Sequence, residues 1–210
     1  MNNQLPLFIF DNFYQNPADI RNFAVKCNYK KPLISSTPSL VSDIRHPNTK
    51  SVLLRIGKLI NVVPDWEKIE NVYSFWGQSA CGEFQLTLEH LNDMGQVHSH
   101  KNGEWVGIVY LSDQKDCEGR VGTFLLKHKE LDIFHSKDVT SEQYEILKKD
   151  ARDKTKWEIL ASPEMQYNRL IIFDSRIFHA TSSGFGNTPS SGRLIQIFNF
   201  TTKPVSHLRQ

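Results

Sequence analysis

Apolar residues follow a helical period in the first third of the chain and a strand period in most of the remainder. In the first third, two segments place apolar residues three and four positions apart, the spacing of an amphipathic helix that packs against a sheet. A stretch rich in Pro and Ser separates them and has no sustained period. The predicted elements are a strand at Leu7–Phe10, a helix from Pro17 to about Cys27, a loop at Lys30–Pro47 and a helix from Thr49 to Pro64.

Beyond residue 70, short apolar or alternating runs are separated by Gly and Asn, which predicts antiparallel strands in a sandwich or barrel. Charged Val139–Asp153 has two apolar residues at helical spacing and predicts a surface helix inserted in the sheet, and Thr181–Gly192 is a loop by composition. The predicted strands are Val72–Phe75, Phe84–Leu88, Gln96–His100, Trp105–Leu111, Gly122–Leu126, Asn168–Phe173 and Leu194–Phe200.

Length and pattern together predict one mainly β domain over residues 1–210 of this 210-residue chain. Residues 1–70 supply a strand and support helices, and residues 71–200 form the β core, with a helical insert at about 139–153. The formal net charge of +2 gives no indication of a nucleic-acid partner. No apolar run has the length needed to cross a membrane. Three cysteines without CxxC spacing favour free thiols in a reducing compartment, so we expect a cytoplasmic protein.

The segment Gln96–Leu111 contains the clearest chemical signal, the pair His98 and His100. Side chains two positions apart on an extended segment point to the same face, so both imidazoles can reach one ion. Neutral imidazole suits Fe, Zn, Cu or Ni, whereas Ca and Mg prefer oxygen ligands. The alternative is one surface histidine and one that is hydrogen-bonded in the core.

A distant histidine and an arginine complete a possible site. His179 follows a predicted buried strand and a turn, and Arg193 opens the next strand. Three protein ligands on one face of Fe(II) would leave positions open for a chelating cosubstrate and O2. A guanidinium could hold the far carboxylate of that cosubstrate through paired charge-assisted hydrogen bonds.

From about Cys81 to Phe200, the order and spacing of motifs resemble the iron(II)/2-oxoglutarate-dependent dioxygenase superfamily, and within it the small prolyl-hydroxylase-like bacterial and phage-type members. The residues that carry the resemblance are Phe84-Gln85, His98, Trp105, Tyr110-Leu111, Gly122-Thr123-Phe124, His128, Arg169-Leu170, Phe173, Ser175, His179, Gly186, Arg193-Leu194, Gln196 and Phe198.

The resemblance implies a double-stranded β-helix, the jelly-roll fold shared with the cupins. It implies Fe(II) on His98 and His179 and 2-oxoglutarate with its distal carboxylate on Arg193. Tyr110 would donate a hydroxyl hydrogen bond to the cosubstrate, or else be an ordinary core tyrosine. Gln85 would line the pocket, or else be a polar residue on an outward face. The implied activity is hydroxylation of an unactivated C–H bond with release of succinate and CO2. The substrate would be a small molecule, an amino acid or a peptide side chain.

The chain departs from this family at one position, because His100 stands where Asp or Glu is usual. His100 is the first candidate for the third ligand, and its binding would leave the site one unit more positive. Glu104 is the alternative third ligand, in the HxHxxxE spacing of the cupins, and a vacant position is a third possibility. Two other functions therefore remain open: a cupin-like metalloenzyme that does not use 2-oxoglutarate, and a non-catalytic metal- or ligand-binding module.

Overall fold

Two antiparallel sheets form the framework of the protein in a computed structural model that describes residues 5–32, 38–77, 79–91, 95–100 and 103–204. The larger sheet has the order β1-β8-β5-β10-β4-β3-β2, and the smaller has the order β7-β6-β9. In chain order, the strands of the described part are β1 (Leu7–Phe10), β2 (Tyr29–Lys30), β3 (Leu40–Arg45), β4 (Cys81–Thr87), β5 (Trp105–Tyr110), β6 (Thr123–His128), β7 (Trp157–Ala161), β8 (Leu170–Asp174), β9 (His179–Thr181) and β10 (Arg193–Phe200).

The central strands of the larger sheet are buried on both faces, so their sequences are almost continuously apolar. In β8, Leu170 and Ile172 pack into one core while Ile171 and Phe173 pack into another. The alternation follows from the two-residue period of a strand. The second of these cores also contains Leu125 of β6, so it lies between the two sheets.

Helices cover the outer face of the larger sheet and one end of the smaller one. They are α1 (Pro17–Lys26), α2 (Thr49–Leu59), α3 (Trp66–Trp76), the short α4 (Gln114–Cys117) and α5 (Ser141–Asp150). Buried residues of α1 and α2, among them Ala24 and Leu53, share a core with β4 and β10. The predicted support helices are thereby confirmed. The predicted insert is α5, which starts with a capping box between Thr140 and Gln143.

The predicted strand at Val72–Phe75 is wrong, because these residues lie in helix α3. The aromatic and β-branched composition favoured a strand. Stronger helix signals flank the segment: the Asp65 side chain accepts a hydrogen bond from the Lys68 backbone, and Gly77 ends the helix with φ of 64°. End signals therefore outweighed local propensity.

The loop predicted at Lys30–Pro47 contains strand β3, and its residues 33–37 lie outside the described part of the chain. A shift in register between Val41 and Arg45 interrupts the alternation that would have revealed the strand. Strand β7 was also missed. The predicted strand at Gln96–His100 is reduced to a single bridge between His98 and His179.

Cys27, Cys81 and Cys117 are free thiols, as the sequence predicted. Among the described residues, no helix combines the length and the hydropathy that crossing a membrane requires.

Candidate metal centre

Backbone pairing brings His98 and His179 side by side from positions 81 residues apart in the chain. The N–H of His98 donates to the carbonyl of His179 at 3.0 Å, and the N–H of His179 donates back at 2.8 Å. A further backbone hydrogen bond fixes the position of His100: its N–H donates to the carbonyl of Ser175 at 2.8 Å. Two backbone contacts therefore place three imidazoles on one face.

The three rings form a tight cluster that fits one metal ion. Ring centroids are 4.4 Å apart for His98 and His179, 5.0 Å for His100 and His179, and 5.3 Å for His98 and His100. One nitrogen from each ring can be chosen such that all three lie within 4.8 Å of one another. Three imidazole ligands that leave further positions open suit iron and related transition metals.

Backbone carbonyls fix the orientation of two of these rings. Nδ1 of His98 lies 2.8 Å from the carbonyl of Gln96, and Nδ1 of His179 lies 2.7 Å from that of Ile177. A carbonyl oxygen only accepts, so each Nδ1 carries the proton and each Nε2 keeps a lone pair for a metal. Such partners are typical of histidines that bind metals.

Burial keeps the imidazoles neutral, as metal binding requires. It lowers the pKa of His100 to about 4, and the adjacent His98 acts in the same direction. Burial also lowers the pKa of His98, an effect that its bond to Gln96 partly offsets. The pKa of His179 is lowered well below its usual range by burial, with His98 and His100 contributing.

We expect the metal-free protein to lose stability as the pH falls from about 6.5 towards 4. In this interval the unfolded chain binds protons on these histidines while the folded chain does not. The free energy of unfolding therefore has its full value above the interval and decreases as the pH falls through it. Urea unfolding in the presence of a chelator measures this dependence. The variant His100→Gln should flatten it, whereas His90→Gln, which changes an exposed residue, should not. Equal slopes for both variants would contradict the expectation.

Arg193 lies in the same cavity as the three histidines, a space of about 400 Å³ between the two sheets. Its side chain is 1% exposed, and Nη2 donates to the carbonyl of Gly122 at 2.6 Å. Nε and Nη1 are buried and have no hydrogen-bond partner. Burial lowers the pKa of Arg193 to about 10, so it remains charged at neutral pH. A buried cation with two unused donors could bind a carboxylate.

Of the other two residues predicted to contact the cosubstrate, one lines the cavity and the other does not. Gln85 lines the cavity. Tyr110 is fully buried, is not among the described residues that line the cavity, and has its hydroxyl 3.4 Å from that of Thr123. Thr123 lines the cavity, so the Tyr110 hydroxyl is hydrogen-bonded to a residue of the cavity wall.

Gly122 is required by the close approach of Tyr110. A Cβ at position 122 would lie 2.4 Å from three atoms of the Tyr110 side chain. Because that ring is fully buried, we expect Gly122→Ala to lower the free energy of unfolding by about 1–3 kcal/mol in chemical denaturation. The matched control is Gly107→Ala in β5, where the added atom would meet nothing closer than 3.5 Å. Equal stability of the two variants would refute the close contact.

The alternative ligand Glu104 is engaged elsewhere. Its carboxylate accepts hydrogen bonds from the backbone N–H and the hydroxyl of Thr202, and it is not part of the three-histidine group. His128 is likewise structural, because its Nε2 lies 3.1 Å from the Asp150 carboxylate. Gln196, one of the residues that carry the family resemblance, accepts a hydrogen bond from the Tyr14 hydroxyl and donates to the carbonyl of Gly82.

Sequence reasoning missed three polar residues that line the cavity, Ser99, Thr181 and Asn199. Thr181 and Asn199 each have a buried side-chain oxygen without a hydrogen-bond partner. Strand alternation could have found Asn199, because Arg193, Ile195, Ile197 and Asn199 occupy every second position of β10 and all line the cavity.

A family model described as "Family of unknown function (DUF6445)" matches residues 1–198. The chain belongs to this family. The match includes every candidate metal ligand and Arg193, so the site just described lies within the DUF6445 region. No curated protein has a significantly similar sequence.

Three solved structures illustrate what the DUF6445 chain resembles in three dimensions. HygX from Streptomyces hygroscopicus, solved with nickel and 2-oxoglutarate bound, is 8% identical, with 95% of this chain and 84% of HygX covered and a TM-score of 0.52. An oxidoreductase of the 2OG-Fe(II) oxygenase family from Burkholderia pseudomallei is 10% identical, with 93% and 85% covered and a TM-score of 0.46. A prolyl hydroxylase from Trichoplax adhaerens, in complex with a hypoxia inducible factor peptide fragment, is 10% identical, with 99% and 89% covered and a TM-score of 0.46.

The likeness to HygX concerns the fold, since so few residues are identical. It confirms the predicted double-stranded β-helix with support helices and, at the level of fold, the predicted resemblance to 2-oxoglutarate-dependent oxygenases.

Proposed function

We propose that the protein is an Fe(II)- and 2-oxoglutarate-dependent oxygenase that hydroxylates an unactivated C–H bond of a small molecule or amino-acid side chain. One observation supports this most strongly. Three histidines able to hold a metal share a cavity with a buried arginine that has two unused donors. HygX, which has the same fold, was solved with nickel and 2-oxoglutarate bound, and the proposal extends a metal and this cosubstrate to the present chain.

In this proposal, His98, His100 and His179 are the metal ligands. The Nδ1 contacts of His98 and His179 leave their Nε2 atoms for the ion. An imidazole in the third position makes the centre one unit more positive than a carboxylate would. The centre therefore attracts the dianionic 2-oxoglutarate more strongly and raises the iron potential.

Arg193 is proposed to bind the distal carboxylate of 2-oxoglutarate. Nη2 donates to the carbonyl of Gly122, which orients the guanidinium, and the unused donors on Nε and Nη1 remain available to the carboxylate. The hydroxyl of Thr123 and the amide of Gln85 line the same cavity and offer further polar contacts. Tyr110 is assigned the role of positioning Thr123.

Apolar side chains complete the cavity and exclude water from the metal. Val106, Ile108, Ile195 and Ile197 form these walls. With Fe(II), 2-oxoglutarate and O2 bound, the centre supplies the oxidation that inserts one oxygen atom into a C–H bond and the other into succinate, with release of CO2. The side chains of the cavity hold these reactants in a site from which water is excluded, and the low dielectric there strengthens each charged contact.

The cupin-like alternative receives less support, because Glu104 is bound to Thr202 and the cavity contains the unpaired Arg193. An anaerobic titration tests the proposal: addition of 2-oxoglutarate to the Fe(II)-loaded protein should produce a visible metal-to-ligand charge-transfer band. Admission of air should then yield succinate above a protein-free background. A protein that binds Fe(II) but gives neither the band nor succinate would contradict the proposed activity.

A further inference from the structure

A second cavity of about 440 Å³ lies beside the metal centre, between α3 and the end of β10. His100 and Asn199 line both cavities. A molecule in this second cavity, here called the α3 cleft, would therefore contact the proposed ligand His100, and Arg193 is not among the described residues that line this cleft. The volume suits a small molecule.

The walls of the α3 cleft are aliphatic and aromatic. Helix α3 contributes Ile69 and Val72, which are three positions apart and share a face, and β10 contributes Phe200. Val72 is 42% exposed although it faces this cleft. An apolar part of a ligand would cover it and gain the free energy of removing that surface from water.

Lys68 gives the cleft a positive end. It is the one side chain with a permanent charge among the described residues that line the cleft. The acidic neighbours on α3 have other partners, since Glu67 pairs with Lys203 and Glu70 pairs with Arg45. Lys68 forms no ion pair with any described residue, so its ammonium group is available to an anion.

Asn199 supplies a hydrogen-bond acceptor where the two cavities meet. Its Oδ1 is buried and has no partner. A buried amide oxygen without a donor is unfavourable, and a ligand N–H placed there would satisfy it.

We propose that the α3 cleft binds the substrate, and that this substrate is a small N-acylated aliphatic amino acid. Its side chain would pack against Ile69 and Val72, its N–H would donate to Asn199 Oδ1, and its carboxylate would pair with Lys68. The reaction at this position rests on the proposed function, whereas binding in the cleft does not depend on the metal.

Binding of N-acetyl-L-leucine to the full-length, metal-free protein tests the proposal by ligand-observed NMR titration, which needs neither activity nor cosubstrate. Two matched ligands each remove one contact: the methyl ester removes the anion, and 2-acetoxy-4-methylpentanoate replaces N–H by oxygen. We expect the ester to bind about threefold to fivefold more weakly, as for one exposed ion pair. We expect the N–H replacement to weaken binding about tenfold.

Two variants locate these contacts. Lys68→Gln should bind the acid and the ester equally, whereas Lys58→Gln, on the exposed end of α2, should keep the wild-type difference. Asn199→Leu should abolish the difference between N–H and oxygen. The comparison of ligands on the wild-type protein remains decisive if that variant does not fold.

Equal affinities of the wild-type protein for all three ligands would overturn the proposal. Tighter binding of an N-acetylated tripeptide ending in leucine would overturn the assignment to a small molecule. The metal-free protein could bind the ligands as expected while the charge-transfer and succinate assays fail. That result would support the proposed substrate site in the α3 cleft and contradict the proposed oxygenase activity.

Discussion

Replacement of His179 by alanine is expected to lower the affinity for Fe(II) by more than about 100-fold and to abolish succinate formation. Partners outside the ligand shell are already worth about 10–100-fold in metal affinity, and loss of a ligand should exceed this. His179 is 5% exposed and lies beside both other imidazoles, and the metal-binding group among the described residues contains no fourth member. Equilibrium dialysis against Fe(II) under anaerobic conditions measures the effect.

Two controls separate metal binding from folding. His179→Gln retains most of the side-chain volume and should keep the fold while losing the metal. His90→Ala removes an exposed histidine and should bind Fe(II) as the wild type does. A His179→Ala protein that is folded and retains wild-type affinity would contradict the proposed centre.

Replacement of Arg193 by methionine is expected to weaken cosubstrate binding without lowering the stability of the ligand-free protein. Removing one partner of a buried, hydrogen-bonded ion pair costs about 2–5 kcal/mol, so the Kd for 2-oxoglutarate should rise by about 30-fold or more. In the ligand-free protein the guanidinium is buried with two unsatisfied donors. Its replacement by an apolar side chain should therefore leave the free energy of unfolding unchanged or raise it.

This combination distinguishes a cosubstrate site from a structural arginine. Anaerobic calorimetry with the metal-loaded protein gives the Kd, and urea unfolding without 2-oxoglutarate gives the stability. Lys58→Met, on the exposed end of α2, is the control and should change neither. A large loss of stability in Arg193→Met with an unchanged Kd would assign Arg193 a structural role instead.

Much of the β core was predictable because it is buried on both faces. A strand such as β8, with every residue buried, must be apolar throughout, and the sequence signal is correspondingly strong. The helices α1 and α2 were predictable from their apolar stripes. Helix α3 was not, because its aromatic and β-branched residues favour a strand locally, whereas the residues at its two ends and tertiary packing favour a helix.

The candidate site was predictable only where residue type alone indicates chemistry. Histidines and an arginine in a fixed order indicated His98, His100, His179 and Arg193, and the structure brings all four to one cavity. The residue type of Asn199 and of Lys68 gives no such signal, and only the alternation along β10 could have placed Asn199 at the cavity. Their importance depends on α3, whose position beside β10 arises from packing between segments far apart in the sequence.

The choice between His100 and Glu104 shows how tertiary contacts resolve an ambiguity of spacing. Both residues lie close enough to His98 in the sequence to join it on a metal. The backbone contact of His100 with Ser175 turns it towards His179, whereas Glu104 is bonded to Thr202 near the end of the chain. Neither contact can be read from the local sequence.

A crystal structure of the protein with Fe(II) and 2-oxoglutarate, grown without oxygen, tests the central claim most directly. The account predicts one iron ion bound by Nε2 of His98 and His179 and by the imidazole of His100. It also predicts 2-oxoglutarate chelating that ion, with its distal carboxylate on the guanidinium of Arg193. An iron ion held by Glu104, or 2-oxoglutarate bound away from Arg193, would contradict it.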